Sequence, residues 1–196
     1  MASVISHTAV PLAMALGLGA RRVPPRLLLL ACIASAAPDL DVIGFRAGIA
    51  YGSVLGHRGI SHSLFFALFS AILVSPFSRI LGSTRLITAS VVFAATASHG
   101  LLDALTSGGL GVAFFAPLSV DRYFLPWRVI RVSPIGIAPF FSEWGLRVIR
   151  SELQWVWAPS VAAGLLGLLI RKLLIRRQTG RAGGHTSDAA PDAPSS

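Results

Sequence analysis

The stretch LITASVVFAATASHGLLDAL, residues 86–105, decides the fold. It stays uncharged as far as His99, and as a helix rising about 1.5 Å per residue it matches the roughly 30 Å hydrocarbon core of a bilayer. Its second half then places His99 and Asp103 four residues apart. Ionisable groups are costly at membrane depth, so this pair asks for a partner or a function.

The rest of the chain agrees with a membrane reading. Of 196 residues, 54% are apolar and only 13% are charged, against about 25% charged in an ordinary soluble domain. Mean hydropathy is +0.71. Four further apolar segments accompany residues 86–105. They run from Val4 to Ala20, from Leu27 to Ala37, from Leu64 to Leu81 and from Trp155 to Leu174. Pro24-Pro25 suit a helix start, Pro38 stops the second segment, and Pro76 kinks or ends the third. The expected fold class is all-α. It is an integral membrane bundle of about four to five membrane-embedded helices, with some short helices sunk below the surface or paired in a buried hairpin. Residues 1–178 form the membrane domain, and the Gly-, Ser-, Ala- and Pro-rich residues 179–196 form a disordered polar tail.

Seventeen Lys and Arg against eight acids give a formal charge of +9, but most of the basic residues flank apolar runs as membrane anchors. Nucleic acid is therefore not expected as a partner; membrane lipids are. No basic residue precedes the first apolar run, so it does not read as a signal peptide. Arg21, Arg22 and Arg26, then Arg79 and Arg85, then Arg171, Lys172, Arg176, Arg177 and Arg181 fall on one side, read as cytoplasmic. The expected location is the inner membrane, multi-pass. A long Gly- and Pro-rich stretch, 107–154, precedes the last span. Its residues 142–154 suit an interfacial amphipathic helix, with Glu143 and Arg147 at i,i+4 and Trp155 and Trp157 at headgroup level. The single cysteine, Cys32, excludes an intrachain disulfide and reads as a small buried hydrophobe.

The titratable residues are not scattered. His7 opens the first segment, Asp39 and Asp41 follow the second in Pro-Asp-Leu-Asp, and His57 and His62 precede the third in His-Arg-Gly-Ile-Ser-His-Ser. His99 and Asp103 close the fourth. In an alternating bundle, the start of helix one, the end of helix two, the start of helix three and the end of helix four share one end. The clusters are thus expected to converge there.

Imidazole with carboxylate and no thiolate is a ligand set for zinc and its neighbours. His99 and Asp103 differ by only about 40° around a helix. Gly59 allows a turn between His57 and His62, and Ser61 is placed to cap the third helix. Asp39 and Asp41 sit in a loop, where one binds metal and the other orients a histidine. Arg58 and Arg122 are candidates for an anionic substrate. For Asp121 and Glu143, surface ion pairing outweighs a ligand role, and His185 lies in the tail. The plainer alternatives are a buried hydrogen-bonded pair for His99 and Asp103, loop histidines at a polar interface for His57 and His62, an interfacial histidine for His7, and the end of a helix hairpin for Asp39 and Asp41.

Taken together, Pro-Asp-Leu-Asp, His-Arg-Gly-Ile-Ser-His-Ser and Ser-His-Gly-Leu-Leu-Asp resemble the membrane-bound metal-dependent hydrolases, the inner-membrane family whose best-known bacterial member is regulated by the LexA repressor. The similarity extends from His7 through the Pro-Trp-Arg and Val-Ser-Pro-Ile-Gly stretch at 126–136 to about Trp144. That family is in turn distantly similar to zinc-dependent phospholipase C and the P1-type nucleases. The resemblance implies His7, Asp41, His57, His62, His99 and Asp103 as ligands for one or more divalent ions, with zinc first. The chain has only one His-x-x-x-Asp pair where the soluble enzymes have more.

The expected function is a membrane-bound metal-dependent hydrolase, most plausibly a phosphoesterase using metal-activated water at the membrane surface, with a lipid or other phosphoester as substrate. Asp39 and Arg58 are the expected catalytic groups, and Arg58 and Arg122 the substrate contacts. The alternative is a metal-binding membrane protein, structural or transporting, without hydrolytic activity.

Overall fold

A computed structural model describes residues 1–134 and 140–184, and among them it is all-helical, with no strand. Five helical units follow in order: α1 (Val4–Leu18), α2 (Pro25–Ala47), α3 (Leu64–Arg79), α4 (Arg85–Ala104) and α5 (Glu143–Gln178). α2, α4 and α5 are long and apolar enough to cross a bilayer; α1 and α3 are shorter. The expected bundle of four to five membrane-embedded helices is what forms.

Local chemistry sets the boundaries. Pro25 stands in the first turn of α2, where its missing N–H is not needed. Pro38 does not release the chain into a loop, as expected from the sequence. The backbone tightens there into a 3-10 helix, Ala37–Ala47, which carries Asp39 in its first turn and Asp41 two positions on. Pro76 has the anticipated effect, and α3 passes from α-helix (Leu64–Val74) into a 3-10 turn (Ser75–Arg79). The cap of α3 is Ser63 and not Ser61: the Ser63 hydroxyl accepts from the Phe66 N–H at 3.1 Å. Ser61 instead lies in a 3-10 turn, Ile60–His62, and serves the site.

α4 is the central helix. Over half of its span is buried within the protein, whereas only 6% of the α5 span is. α4 packs on α2 and α3, and α5 lies along α1. The core between α2, α3 and α4 is built from small and branched residues: Leu27, Ala31, Ala71, Val91, Val92 and Ala95. In lipid there is little hydrophobic gain from pairing helices, so alanine-lined contacts that allow close approach carry the packing. The helix that begins at Glu143 is not a separate interfacial element. Ser142 caps it, and it runs through one π-helical turn, Leu153–Trp157, into the last span, whose backbone stays helical to Gly184. The expected tail thus starts in helical backbone, and its residues 185–196, His185 among them, lie outside the described residues.

The segment 105–134 folds back over one end of the bundle. Isolated bridges pair Thr106 with Ile130 and Val112 with Tyr123. Ala113 N–H donates to the Arg58 carbonyl at 3.0 Å and Leu64 N–H to the Phe114 carbonyl at 3.0 Å. That end is where the histidines and aspartates are.

Candidate functional site

Four stretches of chain deliver the titratable side chains to one buried cluster. α1 brings His7, the 3-10 end of α2 brings Asp39 and Asp41, the turn before α3 brings His57 and His62, and the end of α4 brings His99 and Asp103. Ligand atoms of Asp39, His57, His62 and Asp103 all lie within 4.8 Å of one another, as do those of His7, His99 and Asp103. His7, His99 and Asp103 are fully buried.

The inner atoms face one another. His99 Nε2 is 3.0 Å from His62 Nε2 and 3.3 Å from Asp39 Oδ1. His62 Nε2 is 3.7 Å from Asp39 Oδ1 and 3.6 Å from Asp103 Oδ2. His7 Nε2 stands 3.9 Å from Asp39 Oδ2 and 3.8 Å from Asp103 Oδ1, and the His7 ring stacks on His99 with centroids 3.6 Å apart. Both nitrogens of His7 and both oxygens of Asp39 are buried without a hydrogen-bond partner, whereas Oδ2 of Asp103 has the Arg58 guanidinium beside it. Leaving such atoms unpaired costs on the order of 1–3 kcal/mol each.

An outer set of contacts aims these groups. His99 Nδ1–H donates to the Ser35 carbonyl at 2.7 Å, which turns Nε2 inward. Asp41 takes His57 Nδ1–H at 2.7 Å on one oxygen, and the Ser61 hydroxyl at 2.6 Å and His62 Nδ1 at 3.2 Å on the other. Burial disfavours a charged His62, yet the carboxylates of Asp39 and Asp41 outweigh it and hold its pKa above the usual histidine range. Within Pro-Asp-Leu-Asp, Asp39 faces the cluster, and Asp41, the ligand implied by resemblance, contacts the outer nitrogens of His57 and His62.

Both arginines make contacts within the chain itself. Arg58 is fully buried; its Nε is 3.0 Å from Asp103 Oδ2, and its terminal nitrogens donate to the Gly108 carbonyl at 2.8 Å and the Thr106 hydroxyl at 2.9 Å. It adopts a left-handed backbone, φ 63°, unusual for a side chain of this size. Arg122 donates to the carbonyls of His57, Tyr51 and Ser53 at 3.0–3.2 Å, tying the covering segment to the turn that carries His57. Asp121 accepts from Ser119 at the surface and Glu143 is exposed on the first turn of α5; neither belongs to the ligand groups.

The profile of the YdjM inner membrane protein family matches residues 1–176, so it takes in every residue of the cluster. The chain belongs to the YdjM inner membrane protein family. It is also 44% identical to the inner membrane protein YbcI of Escherichia coli strain K12 over 170 residues, 86% of this chain and 97% of that one. No solved structure matches the chain. With three helices able to span a bilayer, this YdjM-family member is a multi-pass inner membrane protein.

Sequence reasoning missed several residues that build the family member's site. Gly100 is one: a Cβ there would lie 2.6 Å from the His62 carbonyl oxygen, so the glycine lets α4 pass against the histidine turn. A glycine between His99 and Leu101 inside a helix was the available signal. Glu152 is another, buried at 3% exposure. It accepts from the Ser3 backbone N–H, from the Ser3 hydroxyl at 2.6 Å and from the Ser6 hydroxyl at 2.9 Å, pinning the start of α1 beside the site. A lone acid entering an apolar run gave notice of it; nothing marked Ser3, Ser6 or the Ser35 carbonyl.

Proposed function

We propose that this protein is a divalent-metal-dependent hydrolase of the inner membrane acting on a phosphoester. The observation that carries the reading is the set of buried inward atoms without hydrogen-bond partners on His7 and Asp39, beside the facing Nε2 atoms of His62 and His99. Imidazole and carboxylate without thiolate fit zinc or a similar ion. Charge supports the fit. Asp39, Asp41 and Asp103 bring three carboxylates, against which, among the described residues, Arg58 is the one arginine in direct ion contact.

The ligands would be His7, Asp39, His62, His99 and Asp103, with His57 offering the ring nitrogen that Asp41 leaves free. A bound divalent ion supplies Lewis acidity toward a phosphoryl oxygen and toward water. The chain's own groups do the rest. Asp41 and the Ser35 carbonyl hold three imidazoles in their working orientation. Arg58 fixes Asp103 and balances part of its charge, a positioning role in place of the expected substrate contact. Asp39 has two carboxylate oxygens free of hydrogen bonds, one to ligate and one to take a proton from water. Gathering at one end of the bundle puts this chemistry near the headgroup layer, which suits a lipid phosphoester.

One observation favours the second reading, a closed structural metal site. Every proposed ligand is at most 5% exposed, beneath the segment 105–134. Elemental analysis of detergent-purified protein, paired with a screen of phosphomonoester and phosphodiester hydrolysis with and without chelator, tests both. Chelator-sensitive turnover supports the hydrolase. Bound metal with no turnover across the screen supports the closed site, and absence of metal after purification in metal-supplemented buffer overturns both.

A further inference from the structure

A second feature lies on the other face of α1, away from the histidines. α1 and α5 cross with their backbones almost touching: a Cβ on Gly167 would meet Gly17 Cα at 2.9 Å, and one on Gly164 would meet the Ala13 carbonyl at 3.1 Å. Small residues at a crossing bring the helices together but leave little side chain to fill the space beside it. A cleft of about 1130 Å³ runs there, from Val10 and Trp155 at the site end to Arg171 and Lys172 at the far end. Its walls are mainly apolar, and Met14, Ala163 and Ile170 lie along them.

The far end is of a different character. Arg21 and Arg22, just past the end of α1, and Arg171 and Lys172 of α5 all border the cleft, and no Asp or Glu does. Among the described residues none of these four takes part in a salt bridge. Gly19 sets one of them. At φ 82° it has no side chain, and the Arg171 guanidinium occupies the place where a Cβ would stand, 1.3 Å from Nη1. Four cations, two from the turn after α1 and two from α5, thus gather at one end of an apolar slot long enough for acyl chain. By the charge distribution along the sequence this is the cytoplasmic end, where anionic lipids concentrate.

We propose that the α1–α5 cleft is a binding site for an anionic phospholipid, its acyl chain along Met14, Ala163 and Ile170 and its headgroup phosphate held by Arg21, Arg22, Arg171 and Lys172. The complementarity is of two kinds at once: apolar wall against acyl chain and an all-cationic rim against phosphate. The site is independent of the metal cluster and survives if that cluster proves structural.

The test is lipid retention by the full chain purified in detergent and titrated with phosphatidylglycerol, phosphatidylcholine or glycerol phosphate, followed by native mass spectrometry. Phosphatidylglycerol binds the wild type at least tenfold better than phosphatidylcholine, and glycerol phosphate alone does not bind. The double variant Arg171→Ala, Lys172→Ala loses affinity for phosphatidylglycerol on the order of 30-fold, taking about 1 kcal/mol for each cation removed. Ala163→Phe fills the slot, keeps all four charges and lowers binding of both lipids. Both variants elute as the wild type does. Equal binding of the two lipids by the wild type, or an unchanged preference in the double variant, overturns the proposal. Binding of glycerol phosphate as tight as that of the lipid overturns the acyl-chain part, and an unaffected Ala163→Phe does the same.

Discussion

His62 Nε2 and His99 Nε2 lie 3.0 Å apart, and the opposite nitrogen of each ring already has an oxygen partner. His99 Nδ1 faces the Ser35 carbonyl, and His62 Nδ1 faces the Asp41 carboxylate at 3.2 Å and the Ser61 hydroxyl at 3.0 Å, whose own hydrogen goes to Asp41. Those partners assign the hydrogen to Nδ1 in both rings. In their neutral forms the rings therefore point two lone pairs at each other, with Asp39 Oδ1 only 3.3 Å from one of them. Lone pairs crowded together in a dry interior demand a cation between them, a proton or a metal.

The first prediction follows from that crowding. Protein purified from cells grown with divalent metal carries a metal of the zinc group, and the double variant His99→Ala, Asp103→Ala loses most of it. Elemental analysis at matched protein concentration is the check. Full occupancy in the double variant would contradict the assignment of these residues as ligands.

The two aspartates of Pro-Asp-Leu-Asp separate by role. Asp39→Asn removes an inward ligand and abolishes metal retention. Asp41→Asn leaves the inner set intact but frees His57 and His62, so affinity falls about 10- to 100-fold while binding remains measurable. Titration with a competing chromophoric chelator reads both. The opposite order of severity would return Asp41 to the inner position that resemblance assigned to it.

The placement of these two aspartates marks how far the sequence was legible. The five apolar segments and the gathering of His7, the two aspartates, His57, His62, His99 and Asp103 at one end followed from hydropathy and from alternation of helix ends, which depend on period and order alone. Asp39 and Asp41 stand two residues apart, and which one faces inward depends on the helical twist after Pro38. The sequence reads there as a break, while the chain continues as a 3-10 helix. Arg58 reads as part of the site from its place beside His57, but its contact with Asp103 was not legible. Its link to Asp103 crosses between elements, and such pairings carry no sequence period.

Gly100 is expected to tolerate nothing larger. A Cβ would stand 2.6 Å from the His62 carbonyl oxygen, a backbone atom that cannot swing aside as a side-chain tip can. Gly100→Ala therefore destabilises the fold by about 1–3 kcal/mol, the usual cost of overpacking. The loss offsets any helix-propensity gain from alanine, about 1 kcal/mol at most. It also pushes His62 away from His99. Thermal unfolding in detergent and metal affinity drop together; a variant as stable as the wild type would show that the two elements can separate cheaply.

Arg58 supports the last prediction, which turns on buried charge. Its guanidinium is the arginine in contact with Asp103, and both groups are fully buried. Arg58→Met keeps much of the side chain's volume and removes the charge, leaving the Asp103 carboxylate facing an apolar chain. Breaking a buried pair from one side costs about 3–5 kcal/mol. A divalent ion on Asp103 would supply part of the missing positive charge, so added zinc should rescue the variant's melting temperature more than it raises that of the wild type. Metal that binds only the folded state stabilises by about 2.7 kcal/mol at a hundred times its Kd, and chelation removes this from both proteins. Melting curves with zinc and with chelator, for wild type and Arg58→Met, make the comparison. Equal zinc effects in the two proteins would mean that the ion does not sit against Asp103.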